Sequence, residues 1–177
     1  MGKAEESPTY DKETIENETK DSKIERKIIR NANVTLEVED PIETLSEIEK
    51  KINQLNGWLV ESSSNGYENN SSAEIKVRIP EEELDEFLVW IASIAKITYK
   101  RLYADEITLE YYDFQARLEN AINQKQQYLE IMKKANTIKD VLEVQNHIDM
   151  VQERIDSYSR KIEVWDIQVS NSLVSID

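Results

Sequence analysis

The sequence predicts an α+β fold: a ferredoxin-like βαββαβ sandwich with an antiparallel sheet, a long antiparallel helical hairpin, and a final strand that returns to the sheet. Three observations predict it. Apolar and polar residues alternate at period two in several separate stretches, the spacing of half-buried strands. Two stretches between them open on proline and then repeat apolar residues at helical spacing. Residues 107 to 165 hold neither glycine nor proline and carry a heptad pattern instead.

The chain begins with a boundary. Residues 1 to 23 hold only Met1, Tyr10 and Ile15 as large apolar side chains. Such a stretch cannot bury enough surface to offset about 1–2 kcal/mol per residue of backbone ordering. Residues 1–26 are therefore read as a disordered acidic tether. They lack a basic segment followed by an apolar one, so they are not a signal peptide as they stand. The opening Met-Gly is expected to be a remnant of excision from something longer.

The sandwich is expected over residues 27–106. Ala32, Val34, Leu36 and Val38 alternate with polar residues and give the first strand. Asp40-Pro41-Ile42-Glu43 is a helix start with a capping acid, proline at the first helical position and a capping-box glutamate. Ile42, Leu45, Ile48, Ile52 and Leu55 form the stripe of that helix, and Asn56-Gly57 closes it at a left-handed cap. Trp58 to Ser63 is the second strand, followed by a polar hairpin tip around Tyr67. Ala73, Ile75, Val77 and Ile79 mark the third strand, which Pro80 ends. Glu81, Glu82 and Glu83 then sit in the first turn of a second helix, where the helix dipole favours anions. Its stripe is Leu84, Phe87, Leu88, Ile91 and Ala95, and a fourth strand follows from Ile97 to Tyr103. This element order is that of the split βαβ sandwich. Both helices cover one face of the sheet and leave the other to solvent or a partner.

The hairpin is expected over residues 107–165. Tyr111, Phe114, Leu118, Ala121, Lys125, Tyr128 and Met132 follow alternating spacings of three and four, flawed only by Lys125. Val141, Val144, Ile148, Val151, Ile155, Tyr158, Ile162 and Trp165 follow the same rule without a break. Residues 135 to 137 separate the two runs, and Thr137 and Asp140 are placed to start the second helix. The pattern implies a left-handed coiled-coil seam on helices about 37 Å long. Residues 166–177 are left as the returning strand, from Ile167 to Ile176. Because the chain stops in strand, more residues are expected to follow in a parent protein.

Composition excludes several functions. The chain has 177 residues, a net charge of −14, one histidine and no cysteine. Disulfides, thiolate nucleophiles and cysteine-based metal sites are impossible, and a two-histidine metal site cannot form in one chain. The acidity argues against nucleic acid and anionic lipid surfaces, which need Lys and Arg to displace counterions. Three glycines, at 2, 57 and 66, cannot write a P-loop or a dinucleotide fingerprint. No metal and no cofactor is expected. His147 lies off the seam with no nucleophile motif around it and is read as a flanking surface residue. The acidic run from Glu81 to Glu86 lacks the alternating ligands and glycine turn of a calcium loop and is read as a solvated helix start.

The densest cluster of chemistry-bearing residues is Ala104 to Leu118, between the fourth strand and the hairpin. Thr108 is placed to cap the helix, and Asp113 and Arg117 stand at the spacing of an intrahelical ion pair. Asp105, Thr108, Tyr111, Asp113 and Arg117 are the candidate junction residues. They make either a structural hinge, which capping and pairing already explain, or a ligand or partner site. Tyr67 on the hairpin tip, Trp90 off its helix stripe, and Tyr128 and Met132 on the hairpin are candidate partner-facing residues, with Leu142 beside them. The remaining aromatics fall on core or seam positions.

The segment from Ala104 to Leu118 resembles a motif of the bacterial family catalogued as domain of unknown function 4349. In that motif a Val-Thr pair precedes Tyr-x-Asp and then Ala-Arg-Leu; here these are Ile107-Thr108, Tyr111-Tyr112-Asp113 and Ala116-Arg117-Leu118. The resemblance continues at Gly57-Trp58, at Arg78-Ile79-Pro80, at Leu142-Glu143-Val144-Gln145, and in the last strand from Asn171 to Ile176. It covers roughly residues 27 to 177, with Ile107 for the usual Val and Gln145 where an acid is common. It implies an exported envelope protein tethered by a lipid-modified cysteine or a membrane helix, and in some members a cytoplasmic zinc-binding module of the anti-sigma type. The expected function is a non-enzymatic extracytoplasmic sensor or interaction domain of a membrane-anchored bacterial protein. Its partner is a protein of the cell envelope or a second copy, and the membrane is met only through a tether outside this fragment. An oligomeric envelope scaffold or lipoprotein domain is the alternative. A cell-wall glycan hydrolase comes last, since no motif singles out a carboxylate pair.

Overall fold

The computed structural model describes residues 25–66 and 71–177. Most of the expected tether and Tyr67 lie outside the described residues. The elements run β1 (Ile28–Glu37), α1 (Pro41–Gln54), β2 (Trp58–Asn65), β3 (Ser72–Pro80), α2 (Leu84–Ile94), β4 (Lys96–Glu106), α3 (Thr108–Met132), α4 (Ile138–Ser170) and β5 (Asn171–Ile176). Glu81–Glu83 form a single 3-10 turn before α2. The fold is of the mixed α+β class, and its final strand returns to the sheet.

Local chemistry sets the ends of α1. Asp40 Oδ1 accepts hydrogen bonds from the amides of Ile42 at 2.9 Å and Glu43 at 3.0 Å, which satisfies two orphan donors of the first turn. At the other end Asn56, not Gly57, takes the left-handed conformation, with φ 57°. Gly57 is required for a different reason. A Cβ there would lie 2.6 Å from the carbonyl oxygen of Arg78 and 2.9 Å from methyl carbons of Ile52 and Ile79. The chain can pass between α1 and β3 only without a side chain.

The sheet has five strands in the order β2-β3-β5-β1-β4. β5 enters its middle, antiparallel to β3 and parallel to β1. The antiparallel sheet expected from sequence is thereby corrected to a mixed one. The cause is the route of the chain. β4 runs antiparallel to β1 and ends beside Ile28, where β1 starts. The helical pair leaves and returns at that same end, so the strand that follows it must run in the direction of β1.

Strand parity divides the sheet into two faces. Ala32, Val34, Ile75, Val77, Ile79, Val174 and Ile176 point to one face and meet α1 and α2, led by Ile52, Phe87, Leu88 and Ile91, all at most 3% exposed. Burying each such side chain contributes about 1.5–3 kcal/mol. Among them sits Ser172, fully buried, whose hydroxyl has no hydrogen-bond partner among the described residues. A second, smaller cluster forms where the helical pair starts: Ile29, of opposite parity, meets Ile107, Tyr111 and Trp165.

Helices α3 and α4 pack antiparallel. Phe114 meets Tyr158 and Trp165 near the sheet, and Tyr128 meets His147 farther out, so partner numbers fall as numbers along α3 rise. The residues of the predicted spacing are buried or half-buried throughout, apart from the terminal Val141. Lys125, the polar flaw, donates to Gln152 Oε1 at 2.6 Å across the pair. Thr137 Oγ1 caps α4 by accepting from the Asp140 amide. One boundary differs from expectation: residues 167–170 are helical, and the strand begins at Asn171. Val169 lies one turn beyond Trp165 and packs into the same cluster, so helical spacing prevails over alternation until Asn171 Nδ2 bonds the Ile167 carbonyl and closes the helix.

Candidate functional site

The junction cluster is built from both chain directions. The Lys27 amide donates to Thr108 Oγ1 at 3.1 Å, and the Ile107 amide donates to the Lys27 carbonyl at 2.9 Å. Thr108 therefore does not cap α3 as the sequence suggests. Ile107 occupies the cap position with no side-chain bond, and the hydroxyl of the buried Thr108 accepts from the strand entering β1 and donates to Glu106 Oε1 at 3.2 Å. One turn on, Tyr111 donates its phenolic hydrogen to Asp166 Oδ1 at 2.6 Å, tying α3 to α4. Burial first, and then the Asp166 carboxylate, push the Tyr111 phenol up to about 12. Its ring packs against Tyr112 and Trp165 and beneath the Lys27 ammonium.

The other sequence-singled residues are placed apart from that knot. Asp113 and Arg117 form the expected pair at 2.8 Å, but both are more than half exposed. The Asp113 carboxylate raises the Arg117 guanidinium above its ordinary value. Asp105 lies exposed near the end of β4 opposite Ile29. Trp90 is half-buried: it stacks on Phe87 at 5.8 Å with Lys51 above its ring. Tyr128 stacks face to face on His147 at 5.3 Å, and Met132 is half-buried at the outer end of the seam. Leu142 is 60% exposed. The structure thus gathers Thr108 and Tyr111 into the knot around Lys27, with a geometry of anchoring, and leaves Asp113 and Arg117 as an exposed pair beside it.

Sequence left the open face of the sheet to solvent or a partner without naming its residues, and it did not single out a cleft at the sheet's far end. On the sheet face away from α1 and α2, register aligns Trp58, Arg78, Leu173, Asn31 and Tyr103 in one row across all five strands. Arg78 bonds the Asn171 carbonyl, and the Asn31 side chain accepts from the Leu173 amide, so the centre of this row is spent on holding β5. Strand parity from Asn31 to Thr35 is the signal that could have found it. At the far end of the sheet, an apolar cleft of about 290 Å³ opens between α1 and the end of β1, lined by Leu36, Val38, Pro41, Leu45 and Ile176. This is just below the lower end of small-molecule sites. Glu37 on its rim is held below the usual carboxylate range by its hydrogen bond to Lys96 at 2.6 Å.

Among the described residues no group of three or more metal-ligating side chains converges. Arg30 is raised by its bonds to Glu81 and Asp85, which clamp the start of α2 to β1. Among the described residues, no helix is long and apolar enough to cross a membrane.

Compared with known proteins, residues 26–177 match the model of a family described as a domain of unknown function, DUF4349. No curated protein matches the chain, and no solved structure does.

Proposed function

This chain belongs to the DUF4349 family, and from that premise we propose that it is a non-enzymatic extracytoplasmic interaction or sensor domain of a membrane-anchored bacterial protein. The sandwich is read as a ferredoxin-like unit with β5 inserted between β1 and β3, and α3 and α4 as a coiled-coil hairpin. The ectodomain of an anti-sigma factor, regulating transcription through its tether, is the specific form of the proposal.

The observation that carries it is the hairpin's attachment. Among the described residues its apolar cluster with the sheet lies at its base, around Ile29, Ile107, Tyr111 and Trp165. Its seam is consumed by its own packing, which leaves Ile122, Ile131, Leu142 and Met150 about half exposed or more along the outside. A lever that is rigid at one end and apolar along its flanks is suited to a protein partner.

Because the chain has no cysteine, one pair of variants tests location and contact together. Ile131→Cys and Leu142→Cys, placed separately in the full-length protein, are expected to react with a membrane-impermeant maleimide in intact cells. A short bifunctional cross-linker on the same cysteines is expected to give a discrete adduct, absent with Val89→Cys on the sandwich. Labelling that requires permeabilised cells, or adducts from Val89→Cys alone, would overturn the proposal. The alternative, an oligomeric envelope scaffold or lipoprotein domain, is favoured by the long exposed edge of β4.

A further inference from the structure

The two edges of the sheet are unlike each other. β2 is broken by a bulge that leaves Val60 out of the ladder, and it continues into the polar run Glu61-Ser62-Ser63-Ser64. Bulges and polar edges of this kind discourage further pairing. β4 pairs without interruption from Tyr99 to Glu106, and the residue skipped in its ladder, Thr98, lies just before that stretch. All its residues from Lys100 to Glu106 are exposed.

The charges on this edge are little used within the chain: Glu106 accepts a hydrogen bond from Thr108 Oγ1 at 3.2 Å, and the Arg101 guanidinium lies 6.0 Å from the centre of the Tyr103 ring. Elsewhere in the sheet three cations are ion-paired, Lys76 with Glu61 and Glu74, Lys96 with Glu37, and Arg30 with Glu81 and Asp85, while Arg78 bonds the Asn171 carbonyl. Among the described residues Lys100, Arg101, Asp105 and Glu106 form no ion pair. Their order is the informative feature. Lys100-Arg101-Leu102-Tyr103-Ala104-Asp105-Glu106 reads basic, basic, apolar, aromatic, apolar, acidic, acidic. Reversed and laid against itself, the segment sets every basic residue opposite an acidic one.

We propose that β4 is a self-association edge, and that a second copy of this chain adds its own β4 antiparallel, about a twofold axis through Tyr103. In that register Lys100 faces Glu106, Arg101 faces Asp105, Leu102 faces Ala104, and the two Tyr103 rings meet on the axis.

The backbone agrees. The Ile107 amide bonds the Lys27 carbonyl, and Lys27 precedes the Ile28–Glu106 pair. Alternation along an antiparallel ladder then turns the odd-numbered residues of β4 towards β1. The amides and carbonyls of Lys100, Leu102, Ala104 and Glu106 point outward. The proposed register matches these even-numbered residues with one another and gives about eight interchain hydrogen bonds. Charged side chains on an edge ordinarily act as guards against pairing. Guards of one sign repel a second copy; this order of signs attracts it, because opposite charges directly across a ladder stabilise and like charges destabilise.

A seven-residue strand pair is small beside the ~1,600 Å² of a standard interface, so the dimer is concentration-dependent. Tethering two copies in one membrane would favour it by raising their effective concentration. The inference gives the scaffold alternative a specific contact and stands apart from the partner-binding hairpin.

The test uses the full chain in analytical ultracentrifugation up to ~1 mM, a range that reaches weak association. The unmodified chain is expected to dimerise, more weakly as salt rises. Lys100→Glu with Arg101→Glu is expected to raise the dissociation constant at least ~100-fold, as is Asp105→Lys with Glu106→Lys. Mixing the two double variants restores a one-to-one dimer, because each edge then carries a single sign. Tyr103→Cys is expected to oxidise to a disulfide dimer, whereas Tyr99→Cys, off the axis, is not. Circular dichroism checks that each variant keeps its fold, and the Tyr103→Cys cross-link reads the contact without disturbing its charges. A strict monomer at ~1 mM, a dimer indifferent to either inversion, or double variants that fail to pair would each overturn the proposal. None of these outcomes bears on the hairpin cysteine labelling, so the two proposals fail separately.

Discussion

The sandwich and the helical pair are both held by apolar contact, but they differ in dimension. In the sandwich a whole sheet face meets two helices, and side chains such as Val34, Val77, Leu84 and Phe87 lose all exposure. In the helical pair a single file of residues meets another, and only Ala121, Ile148 and Val151 are buried between the base and the tip. A layer shields its centre on every side, whereas a two-helix seam leaves each contact open on two flanks. The sandwich is therefore expected to set global stability, and the helical pair to carry surface at little loss if changed.

The largest effect that tests this contrast is Phe87→Ala, expected to cost about 3–5 kcal/mol in chemical denaturation, as for large core truncations. Leu118→Ala on the half-buried seam should cost about 1 kcal/mol, in proportion to the smaller area returned to water. Equal losses would mean that the helical pair belongs to the same cooperative core. Gly57→Ala comes next. The added Cβ has no space between Arg78 and Ile79, and overpacking of this kind costs about 1–3 kcal/mol. A neutral result would show that the passage between α1 and β3 is looser than its distances.

One substitution should act in the opposite sense and another should be nearly neutral. Ser172→Ala removes a buried hydroxyl without a partner among the described residues and is expected to stabilise by about 1 kcal/mol. Lys125→Leu repairs the one polar position of the seam; it gives up the bond to Gln152 and is expected to change stability by less than about 1 kcal/mol. A large destabilisation by Lys125→Leu would show that polar contacts, and not the apolar file, hold the pair together.

A further effect is read in pH. With its folded value pushed up to about 12 above an ordinary value near ~10, the neutral Tyr111 phenol favours the folded state. That contribution is complete below pH ~10 and is lost as pH rises through the folded value. Tyr111→Phe should abolish this alkaline step in thermal melts while also losing the bond to Asp166.

The same contrast explains what was legible in the sequence. Several elements announced themselves through period or capping: the alternation at Ala73 to Ile79, Asp40-Pro41, and the unbroken spacing from Val141 to Trp165. These are local signals. Strand order is not local, and nothing in residues 171–176 says that they lie between β1 and β3. Residues 167–170 satisfied both periods at once, and only the packing of Val169 on the Ile29 cluster decides between them. Thr108 had the chemistry of a cap, but its hydroxyl was claimed by Lys27, 81 residues away. Trp90 stood off its stripe because an indole is large enough to reach Phe87 from a flanking position. The charge order of β4 was plain in the sequence, yet it acquires meaning only once β4 is known to be an edge.

The most direct test of a sandwich carrying a projecting helical pair is one distance. Spin labels on Glu37→Cys, at the far end of β1, and Asn136→Cys, between the two helices, report whether the pair stands away from the sheet or folds back along it. A helix of about 37 Å leaving from the start of a ten-residue strand predicts a single separation of about 50 Å or more. A dominant separation under about 20 Å, placing the tip over the open sheet face, would contradict the account.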